Sequence, residues 1–549
     1  MAGKRIVIVG GVAGGASTAA RARRLCEACS ILVLDRGPYV SFANCGLPYY
    51  VGDVIQDERK LLVASAELFR ERFAIEVRTR HEVLSIDREK RELRVRDLEA
   101  DREYTEPYDA LVLSPGAGAI RPPFPGIDLP GVFVLRTIPD SRRIRSWLTE
   151  KEARRAVVVG GGFIGLEMAE NLVHRGLEVT LVELGPQVMP PLDADMAAPL
   201  ASFLRSQGVD LRLGDGVKSF EEAERGLIVE TAGGARLPAD LVVLAIGVRP
   251  ESGLAKDAGL ELGARGGVRV DEQMQTEDPH VWAVGDVVEV TDAVTLEPAQ
   301  IPLAGPANRQ GRIAADAIVG GRETRFRGVQ GTSVCGLFGL TVACTGASER
   351  TLARAGRAAS AVYLHPGHHV GYYPGAKPIH LKLVFDPASG RILGAQAIGE
   401  EGVARRIDVI AMALQMKATV FDLEEAELCY APQFGAAKDP VNLAGMIAAN
   451  ILRGDHPYAR WEGLEDSDAL LVDVRRPAEY AQGHVKGALN LPLEQLRERV
   501  GELPRDRQIW VYCRVGQRGY YATRLLVQLG LDVENLLGGI LTYQAIKGE

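Results

Sequence analysis

The sequence predicts an α/β protein of several domains, and three observations support this. Two segments with the order strand, glycine loop, helix and strand begin at Arg5 and at Ala156. A strand-rich and then helical stretch runs from about 325 to 450, and a further α/β segment starts near Leu464 after a linker rich in charge, glycine and proline. The 549 residues correspond to three or four domains at about 150 residues each.

Composition and charge exclude several classes of protein. With 46% hydrophobic and 25% charged residues, the chain is neither disordered nor fibrous. A net charge of −8 gives no basic surface, so we expect no nucleic-acid partner. No apolar run is long enough for membrane insertion, and the N-terminus lacks a signal peptide's apolar core. The odd count of seven cysteines favours a reducing cytoplasm.

Short apolar runs in the first half are predicted to be buried parallel strands, because they are rich in β-branched residues and end in glycine or an acidic residue. Predicted helices at Ser17–Leu25 and Ile164–Leu172 separate the strands of each pair. Two βαβ units of this kind indicate two Rossmann-like dinucleotide-binding domains. The predicted strands are Arg5–Val9, Ile31–Leu34, Ala156–Val159 and Val179–Val182.

The first glycine loop, Gly10–Gly15 (GGVAGG), departs from the dinucleotide fingerprint because Val12 stands at its middle glycine place. Asp35 ends the next strand and supplies a carboxylate for a ribose diol. A tight turn without a ligand is the alternative for this loop taken alone. The candidate cofactor residues here are Gly10, Gly14, Gly15, Asp35 and Arg36.

The second loop, Gly160–Gly165 (GGGFIG), matches the fingerprint fully. Glu183 closes the following strand, and a carboxylate there accepts hydrogen bonds from the ribose 2′-hydroxyl and repels a 2′-phosphate. We therefore expect NADH rather than NADPH. The candidate residues are Gly160, Gly162, Gly165 and Glu183.

Further segments resemble those of pyridine nucleotide–disulfide reductases over residues 1 to about 450. Thr276–Asp286 resembles the second flavin fingerprint, in which Gly285 and Asp286 would hold FAD. Leu111–Ala117 and Leu244–Pro250 resemble the family's connectors, and the Leu303–Gly311 stretch containing Ala304 resembles its flavin-lining segment. The resemblance implies FAD in the first site and NADH in the second. The expected portions are FAD-binding 1–120 and 246–325, NADH-binding 121–245 and an α+β dimerisation domain 326–452.

Cys45 is the candidate redox thiol. Enzymes of the glutathione reductase type carry a second cysteine that would fall at position 50, where this chain has Tyr50. A single cysteine can instead form a mixed disulfide, a persulfide or a sulfenic acid. The Ser41–Tyr50 segment resembles bacterial coenzyme A-disulfide reductases, which hold coenzyme A as the other sulfur.

That resemblance also implies further site residues. The coenzyme A positions map onto Ser17, Arg21, Arg24, Ser41 and Asn44, and the two arginines, three residues apart on a helix, could hold its phosphates unless they form a solvated face. The family places tyrosines of the partner subunit near the reactive sulfur, so a homodimer with a shared active site is expected. Candidates are Tyr430 and, less directly, Tyr372 or Tyr373.

The C-terminal segment, 464–549, resembles a rhodanese domain, with a six-residue loop Cys513–Arg518 (CRVGQR) between a strand and a helix. Backbone N–H groups, the helix N-terminus and Arg514 or Arg518 would stabilise a thiolate or an anionic persulfide at Cys513. The alternative is a structural domain without activity. We expect no functional role for Cys26 and Cys29, and core positions for Cys335, Cys344 and Cys429.

The combination is similar to NADH-dependent persulfide reductases. It implies reduction of coenzyme A persulfide, polysulfide or coenzyme A disulfide at Cys45, with Cys513 carrying sulfur, Tyr430 donating a proton, and no metal. One alternative is an NADH peroxidase or oxidase using a Cys45 sulfenic acid. Ala13 stands where the peroxidase pattern has histidine, which weakens that alternative. Another is a non-catalytic sulfur sensor or carrier.

Overall fold

The computed structural model describes residues 3–547 and confirms the predicted α/β fold. The chain forms two compact units. The first comprises the chain up to Gly185 together with Arg212–Val329, and the second comprises Pro186–Leu211 and the chain from Gln330 onwards. Residues 186–211, assigned by sequence to the NADH-binding portion, thus belong to the second unit.

The segment up to residue 185 contains eleven strands and five helices among the residues described. The strands are β1 (Arg5–Val9), β2 (Ser30–Asp35), β3 (Glu76–Thr79), β4 (His81–Asp87), β5 (Glu92–Asp97), β6 (Arg102–Pro107), β7 (Ala110–Leu113), β8 (Ala117–Ala119), β9 (Val132–Val134), β10 (Arg155–Val159) and β11 (Glu178–Glu183). The helices are α1 (Ala13–Leu25), α2 (Leu47–Val51), α3 (Ala66–Phe73), α4 (Ile138–Glu150) and α5 (Phe163–His174).

The next segment, up to residue 329, is dominated by short strands between three helices. The helices are α6 (Ala194–Ser206), α7 (Gly253–Asp257) and α8 (Ala304–Gly320). The strands are β12 (Asp210–Leu213), β13 (Val217–Glu222), β14 (Leu227–Thr231), β15 (Arg236–Ala239), β16 (Leu241–Leu244), β17 (Val248–Pro250), β18 (Val281–Ala283), β19 (Val290–Thr291) and β20 (Pro298–Ala299).

The remaining segment begins with an antiparallel hairpin and ends in an alternating α/β arrangement. Its strands are β21 (Ser333–Leu337), β22 (Leu340–Gly346), β23 (Ser360–Leu364), β24 (Ile379–Phe385), β25 (Ile392–Gly399), β26 (Tyr458–Ala459), β27 (Leu470–Asp473), β28 (Leu489–Asn490), β29 (Ile509–Tyr512) and β30 (Val533–Leu536). Its helices are α9 (Glu349–Arg354), α10 (Val403–Gln415), α11 (Val420–Glu425), α12 (Pro440–Leu452), α13 (Pro477–Ala481), α14 (Leu496–Arg499), α15 (Gln517–Gln528) and α16 (Gly539–Lys547).

Two parallel sheets organise the first unit. In one, the strand order is β18-β7-β1-β2-β3, and Ile6 lies opposite Ile31 and Ala110. In the other, β10 lies between β11 and β16, with Ala156 opposite Val179 and Leu241. Because β1 and β10 are central and buried on both faces, they consist almost entirely of apolar residues. Both glycine loops therefore follow the carboxyl ends of central strands, where ligands of such sheets bind.

The second unit contains two sheets of different type. The strands β21-β22-β25-β24-β23 form an antiparallel sheet, covered by α10 and α12. The C-terminal sheet is parallel, in the order β26-β30-β29-β27-β28, so β29 is central and Cys513 directly follows its carboxyl end. None of the helices within residues 3–547 is long and apolar enough to cross a membrane.

Candidate functional site

Each glycine loop folds because its outer glycines allow backbone contacts that a side chain would block. Gly10 has φ +94°, and a Cβ there would lie 2.1 Å from the Ser114 carbonyl oxygen. In the second loop a Cβ at Gly165 would lie 1.9 Å from the Gly160 oxygen. Gly165 thereby lets α5 pack closely against the loop that follows β10, and Gly10 lets its loop pass close to the chain that follows β7.

Gly162 differs from these glycines. A Cβ at this position would meet nothing within 4 Å, so the protein itself does not require glycine here. The free space lies at the start of α5, where the helix N-terminus attracts a pyrophosphate. The loop therefore fits a dinucleotide at the point where backbone and ligand would come closest.

The two strand-end carboxylates are bound in the same way. Asp35 accepts hydrogen bonds from the amides of Gly11 and Gly37, both at 2.8 Å. Glu183 accepts from Gly161 at 2.6 Å and from Gly185 at 2.7 Å. Burial raises the pKa of Asp35, while the amide donors counteract this effect. Each carboxylate thus stands beside its glycine loop, where a ribose would lie.

Asp286 has a partner that the sequence did not reveal. The Arg136 guanidinium donates to Asp286 at 2.9 Å and to the Ala117 carbonyl at 2.8 Å. The main-chain oxygen of Arg136 accepts from the Asn44 amide at 3.0 Å, which links this group to the residue before Cys45. No fingerprint includes Arg136, so only the structure could place it here.

The predicted coenzyme A residues differ in their exposure and in the partners that they already have in the structure. Arg21 is largely buried and forms an ion pair of 2.7 Å with Asp316, and the Ser17 hydroxyl donates to Asn308. Arg24 is exposed, so the two arginines do not form one uniform face. The coenzyme A candidate Ser41 adopts a positive φ of 47°. Arg36, a candidate for the cofactor site, lies 3.5 Å from Glu251.

Cys45 is an exposed free thiol in a short helical turn, Asn44–Gly46, before α2. Tyr50, which occupies the place of a second cysteine, is buried and donates to Glu58 at 3.3 Å, with the Arg145 guanidinium over its ring at 4.2 Å. Burial, followed by the charge of Glu58, raises the pKa of Tyr50. This environment stabilises the phenol, and Cys45 remains a single thiol.

Two of the predicted tyrosines lie together in the second unit. The hydroxyls of Tyr372 and Tyr430 are 2.9 Å apart, although both side chains are exposed. Tyr373 packs edge-on against His369 at 5.5 Å instead. Tyr372 and Tyr430 therefore form a hydrogen bond in which either hydroxyl can donate, whereas Tyr373 is not part of it.

The loop Cys513–Arg518 encloses a fully buried thiol. Cys513 is 0% exposed, and its carbonyl accepts from Ile540 at 2.8 Å. Gly516, with φ +92°, turns the chain into α15, whose first amides point back towards the loop. Arg514 is exposed to solvent. The loop thus combines a strand-end cysteine with the positive end of a twelve-residue helix.

Arg518 is fixed by a residue to which the sequence analysis gave no role. Its guanidinium donates twice to Glu479, both at 2.7 Å, and these hydrogen bonds are the main cause that raises the pKa of Arg518, with a smaller contribution from the charge of a Cys513 thiolate. The hydrogen bonds from Arg518 lower the pKa of Glu479 to about 2. Glu479 therefore stays ionised at neutral pH and holds the arginine towards the sulfur loop.

One expectation about the other cysteines is wrong, because Cys429 is an exposed free thiol, while Cys335 and Cys344 are buried as expected. Cys26 and Cys29, for which no functional role is expected, are joined in a disulfide with Cα atoms 5.5 Å apart. Within residues 3–547, no cluster of three or more His, Cys, Asp or Glu side chains is arranged to hold a metal ion.

Curated relatives and solved structures resemble the chain over most of its length. Coenzyme A disulfide reductase from Staphylococcus haemolyticus is 34% identical over 82% of this chain and all of its own, and that from Staphylococcus epidermidis is 36% identical over 81% of this chain and 99% of its own. The structure of reduced Bacillus anthracis CoADR-RHD matches with TM-score 0.98 and 46% identity, covering 100% of this chain and 98% of its own. An NAD-dependent persulfide reductase from A. fulgidus matches with TM-score 0.92 and 35% identity over 99% of both chains.

Family models match three successive parts of the chain. The dimerisation domain of pyridine nucleotide-disulphide oxidoreductases matches residues 332–439, and the rhodanese-like domain matches 458–546. The pyridine nucleotide-disulphide oxidoreductase model matches 4–311, which is more than half of the chain. The two glycine loops, their carboxylates and these matches agree, and the chain belongs to the pyridine nucleotide-disulphide oxidoreductase family.

Proposed function

We propose that this protein uses NADH to reduce sulfane sulfur, as coenzyme A persulfide or polysulfide, and coenzyme A disulfide. The observation that carries the proposal is the presence in one chain of a single exposed thiol, Cys45, and a sulfur loop around Cys513. The names of the coenzyme A disulfide and persulfide reductases similar to this chain support the same substrates. With coenzyme A persulfide, one NADH and one proton would yield NAD⁺, coenzyme A and hydrogen sulfide.

The reductase half fits FAD in the Gly10–Gly15 loop and NADH in the Gly160–Gly165 loop. FAD would be held by Asp35, by Asp286 with Arg136, and by the glycine loop, while Glu183 would face the ribose of NADH. When bound, FAD supplies the two electrons that return an oxidised Cys45 sulfur to the thiol. The protein's own contribution is to orient these groups and to keep Cys45 without a second cysteine.

At Cys45, the thiolate would attack the sulfur–sulfur bond of the substrate. A new bond forms between Cys45 Sγ and one substrate sulfur, the original bond breaks, and the second sulfur leaves with the electron pair. The hydroxyls of Tyr372 and Tyr430, 2.9 Å apart, are suited to protonating that leaving sulfur. We propose a homodimer in which these tyrosines of one subunit serve Cys45 of the other.

Cys513 would carry sulfane sulfur as a persulfide, and coenzyme A would bring sulfur to or from Cys45. We propose that coenzyme A is contacted by Ser17, Arg24, Ser41 and Asn44. We propose the same of Arg21, which has Asp316 as its partner in the structure. Both thiols must return to the reduced state in each cycle, which a reducing cytoplasm favours.

The proposal is tested by NADH oxidation with four acceptors: coenzyme A persulfide, coenzyme A disulfide, polysulfide and hydrogen peroxide. We expect turnover with the sulfur compounds, its loss in Cys45→Ser, and wild-type rates in the buried control Cys335→Ala. Full persulfide turnover by Cys45→Ser would refute the mechanism. Faster turnover with peroxide than with any sulfur acceptor would favour the peroxidase alternative, and its independence of Cys513 would be shown by Cys513→Ser.

A further inference from the structure

Three buried polar side chains belong to the segment that carries the sulfur loop, and the proposed cycle does not use them. They are His456, Thr523 and Asn535, which are 4%, 0% and 1% exposed. We call them the backing cluster. His456 precedes the C-terminal sheet, Thr523 lies on α15 and Asn535 lies on β30.

Asn535 connects the cluster to the loop. Its side-chain amide nitrogen donates to the Gly516 carbonyl at 3.3 Å and to Nε2 of His456 at 2.9 Å. Burial, followed by the charge of Arg524, lowers the pKa of His456 to about 4, so the imidazole is neutral at neutral pH. A neutral imidazole that accepts at Nε2 carries its proton on Nδ1, which fixes the tautomer.

The cluster is held at a cost in stability. Among the described residues, Nδ1 of His456, Oγ1 of Thr523 and Oδ1 of Asn535 are buried without a hydrogen-bond partner. A buried polar atom without a partner destabilises a fold, and apolar residues of similar shape would avoid this. Two of these atoms belong to side chains that hydrogen-bond to each other, His456 and Asn535, which indicates a role other than stabilising the domain.

The geometry indicates what that role is. The Gly516 carbonyl accepts from Asn535 and from the Tyr520 amide at 2.9 Å, so it points into α15. The peptide bond is planar and trans, so the N–H of Gln517 points the opposite way, out of the helix N-terminus towards the loop. Asn535 thereby fixes the direction of an amide that can face an anionic sulfur at Cys513.

The packing of α15 allows little variation in this arrangement. A Cβ on Gly519 would lie 2.2 Å from Oδ1 of Asn535, so the first turn of the helix is in direct contact with the amide. Thr523, one turn later, lies on the same helix face. Asn535 therefore contacts the backbone just before α15, at Gly516, and also the first turn of the helix, at Gly519.

We infer that Asn535, oriented by His456, is a positioning residue that holds the first amides of α15 towards the sulfur bound at Cys513. The inference rests on the proposed role of Cys513 as a sulfur carrier. Other charged groups near this loop are Arg514, Arg518 with Glu479, and Asp473 with Arg475. These groups are unchanged in the variants that test the inference.

The test is sulfur transfer from thiosulfate to cyanide by the full-length holoenzyme without NADH. The Cys513 thiolate attacks the outer sulfur of thiosulfate, sulfite leaves with the electron pair, and cyanide then removes the outer sulfur as thiocyanate. In the double variant Asn535→Leu/His456→Leu, we expect kcat/KM to fall about fivefold, the effect of losing one well-placed hydrogen bond. The fall should be in kcat, because positioned amides act on the charge that develops during transfer.

A separate measurement distinguishes positioning from a structural role. Because both partners of the buried hydrogen bond become apolar, the unfolding temperature of the double variant should equal or exceed that of the wild type. His456→Gln keeps an acceptor near the position of Nε2 and should retain the wild-type rate. Thr523→Val replaces a buried hydroxyl by a methyl group and leaves the hydrogen bond to Gly516 intact, so it should also retain the wild-type rate.

Wild-type kcat/KM in the double variant would overturn the inference, and so would a loss that only follows a loss of folded protein. If the double variant does not fold, His456→Leu with His456→Gln as its control gives the same comparison. If the wild-type protein transfers no sulfur from thiosulfate, and Cys513→Ser is indistinguishable from it, the sulfur-carrier proposal fails as well. Activity in the wild type with no effect of the variants refutes the positioning role alone.

Discussion

Replacement of Lys382 by methionine is expected to destabilise the second unit strongly. The Lys382 ammonium is 1% exposed and lies within 2.9 Å of three carboxylates, namely 2.9 Å from Asp193, 2.8 Å from Asp195 and 2.7 Å from Glu349. Arg460, which directly follows β26, is the second cation and donates twice to Glu349. Without Lys382, three largely buried carboxylates would face this single cation.

The magnitude follows from this geometry. Removing one partner of a buried ion pair costs about 3–5 kcal/mol, because the remaining charge is left without compensation. For a unit of this size, about 4 kcal/mol corresponds to a fall of roughly 10 °C in the unfolding temperature. Lys377, with 46% of its side chain exposed and 2.9 Å from Glu400 in the same unit, is the matched control. Lys377→Met should cost less than about 1 kcal/mol.

The pH dependence provides a second check of the same reasoning. Burial would raise the pKa of Glu349, but the hydrogen bond from Arg460 and the charge of Lys382 lower it to about 2. Since this lies below the value in the unfolded chain, Glu349 stabilises the wild type above about pH 4.5 and loses that contribution only as the pH falls towards 2. In Lys382→Met the carboxylates repel one another, so protonation should instead restore stability as the pH falls.

The assay is calorimetric unfolding of wild type, Lys382→Met and Lys377→Met at about pH 8 and pH 5.5, where the wild-type carboxylates stay ionised. We expect the difference in unfolding temperature between wild type and Lys382→Met to be largest at pH 8 and smaller at pH 5.5. An unfolding temperature of Lys382→Met within about 2 °C of the wild type at pH 8 would refute the reasoning. A difference that widens on acidification would contradict the charge argument specifically.

Three further predictions concern the second glycine loop, the sulfur loop and the disulfide. Gly162→Ala should raise KM for NADH about tenfold without changing thermal stability, because its Cβ would meet no protein atom within 4 Å and would occupy space that the dinucleotide needs. Gly165→Ala should instead lower the unfolding temperature, because its Cβ would lie 1.9 Å from the Gly160 oxygen. Equal thermal stability of the two variants would contradict this prediction. Glu479→Gln should lower kcat/KM for sulfur transfer from thiosulfate to cyanide about tenfold, since it replaces the charge-assisted bidentate contact with Arg518 by a neutral one. An unchanged rate would show that Arg518 does not need a charged partner. Alkylation of the denatured protein should label five thiols before reduction and seven after it, and seven before reduction would show that Cys26 and Cys29 are not joined.

Much of the fold could be predicted because its central strands are buried on both faces. Continuous apolar runs such as Arg5–Val9 and Ala156–Val159 can be recognised without a partner, and the strand bounds agree closely with the structure. The antiparallel sheets β4-β5-β6 and β13-β14-β15 were not predicted. Their strands are partly exposed and rich in charge, so no clear apolar pattern marks them.

The residues of the candidate site also differ in how well the sequence predicts them. Gly10, Gly165 and the cysteine that follows β29 are fixed by local chain geometry, and they belong to motifs that can be recognised in the sequence. Residues that act through partners distant in the sequence belong to no such motif. Arg136 reaches Asp286 across 150 positions and Arg518 reaches Glu479 across 39, and no spacing rule connects such pairs. The partners of charged groups are decided by tertiary packing, which a single sequence does not encode locally.

The contrasting exposure of the two thiols suits the different tasks proposed for them. A persulfide sulfur at Cys513 would be reactive towards any thiol that reached it, and a fully buried position limits access to small molecules or to an extended arm such as that of coenzyme A. Cys45 must instead accept large sulfur compounds, and its side chain is exposed on a short turn. An enzyme that carried sulfur on the exposed thiol would lose it to competing thiols. The arrangement therefore favours transport at Cys513 and reduction at Cys45.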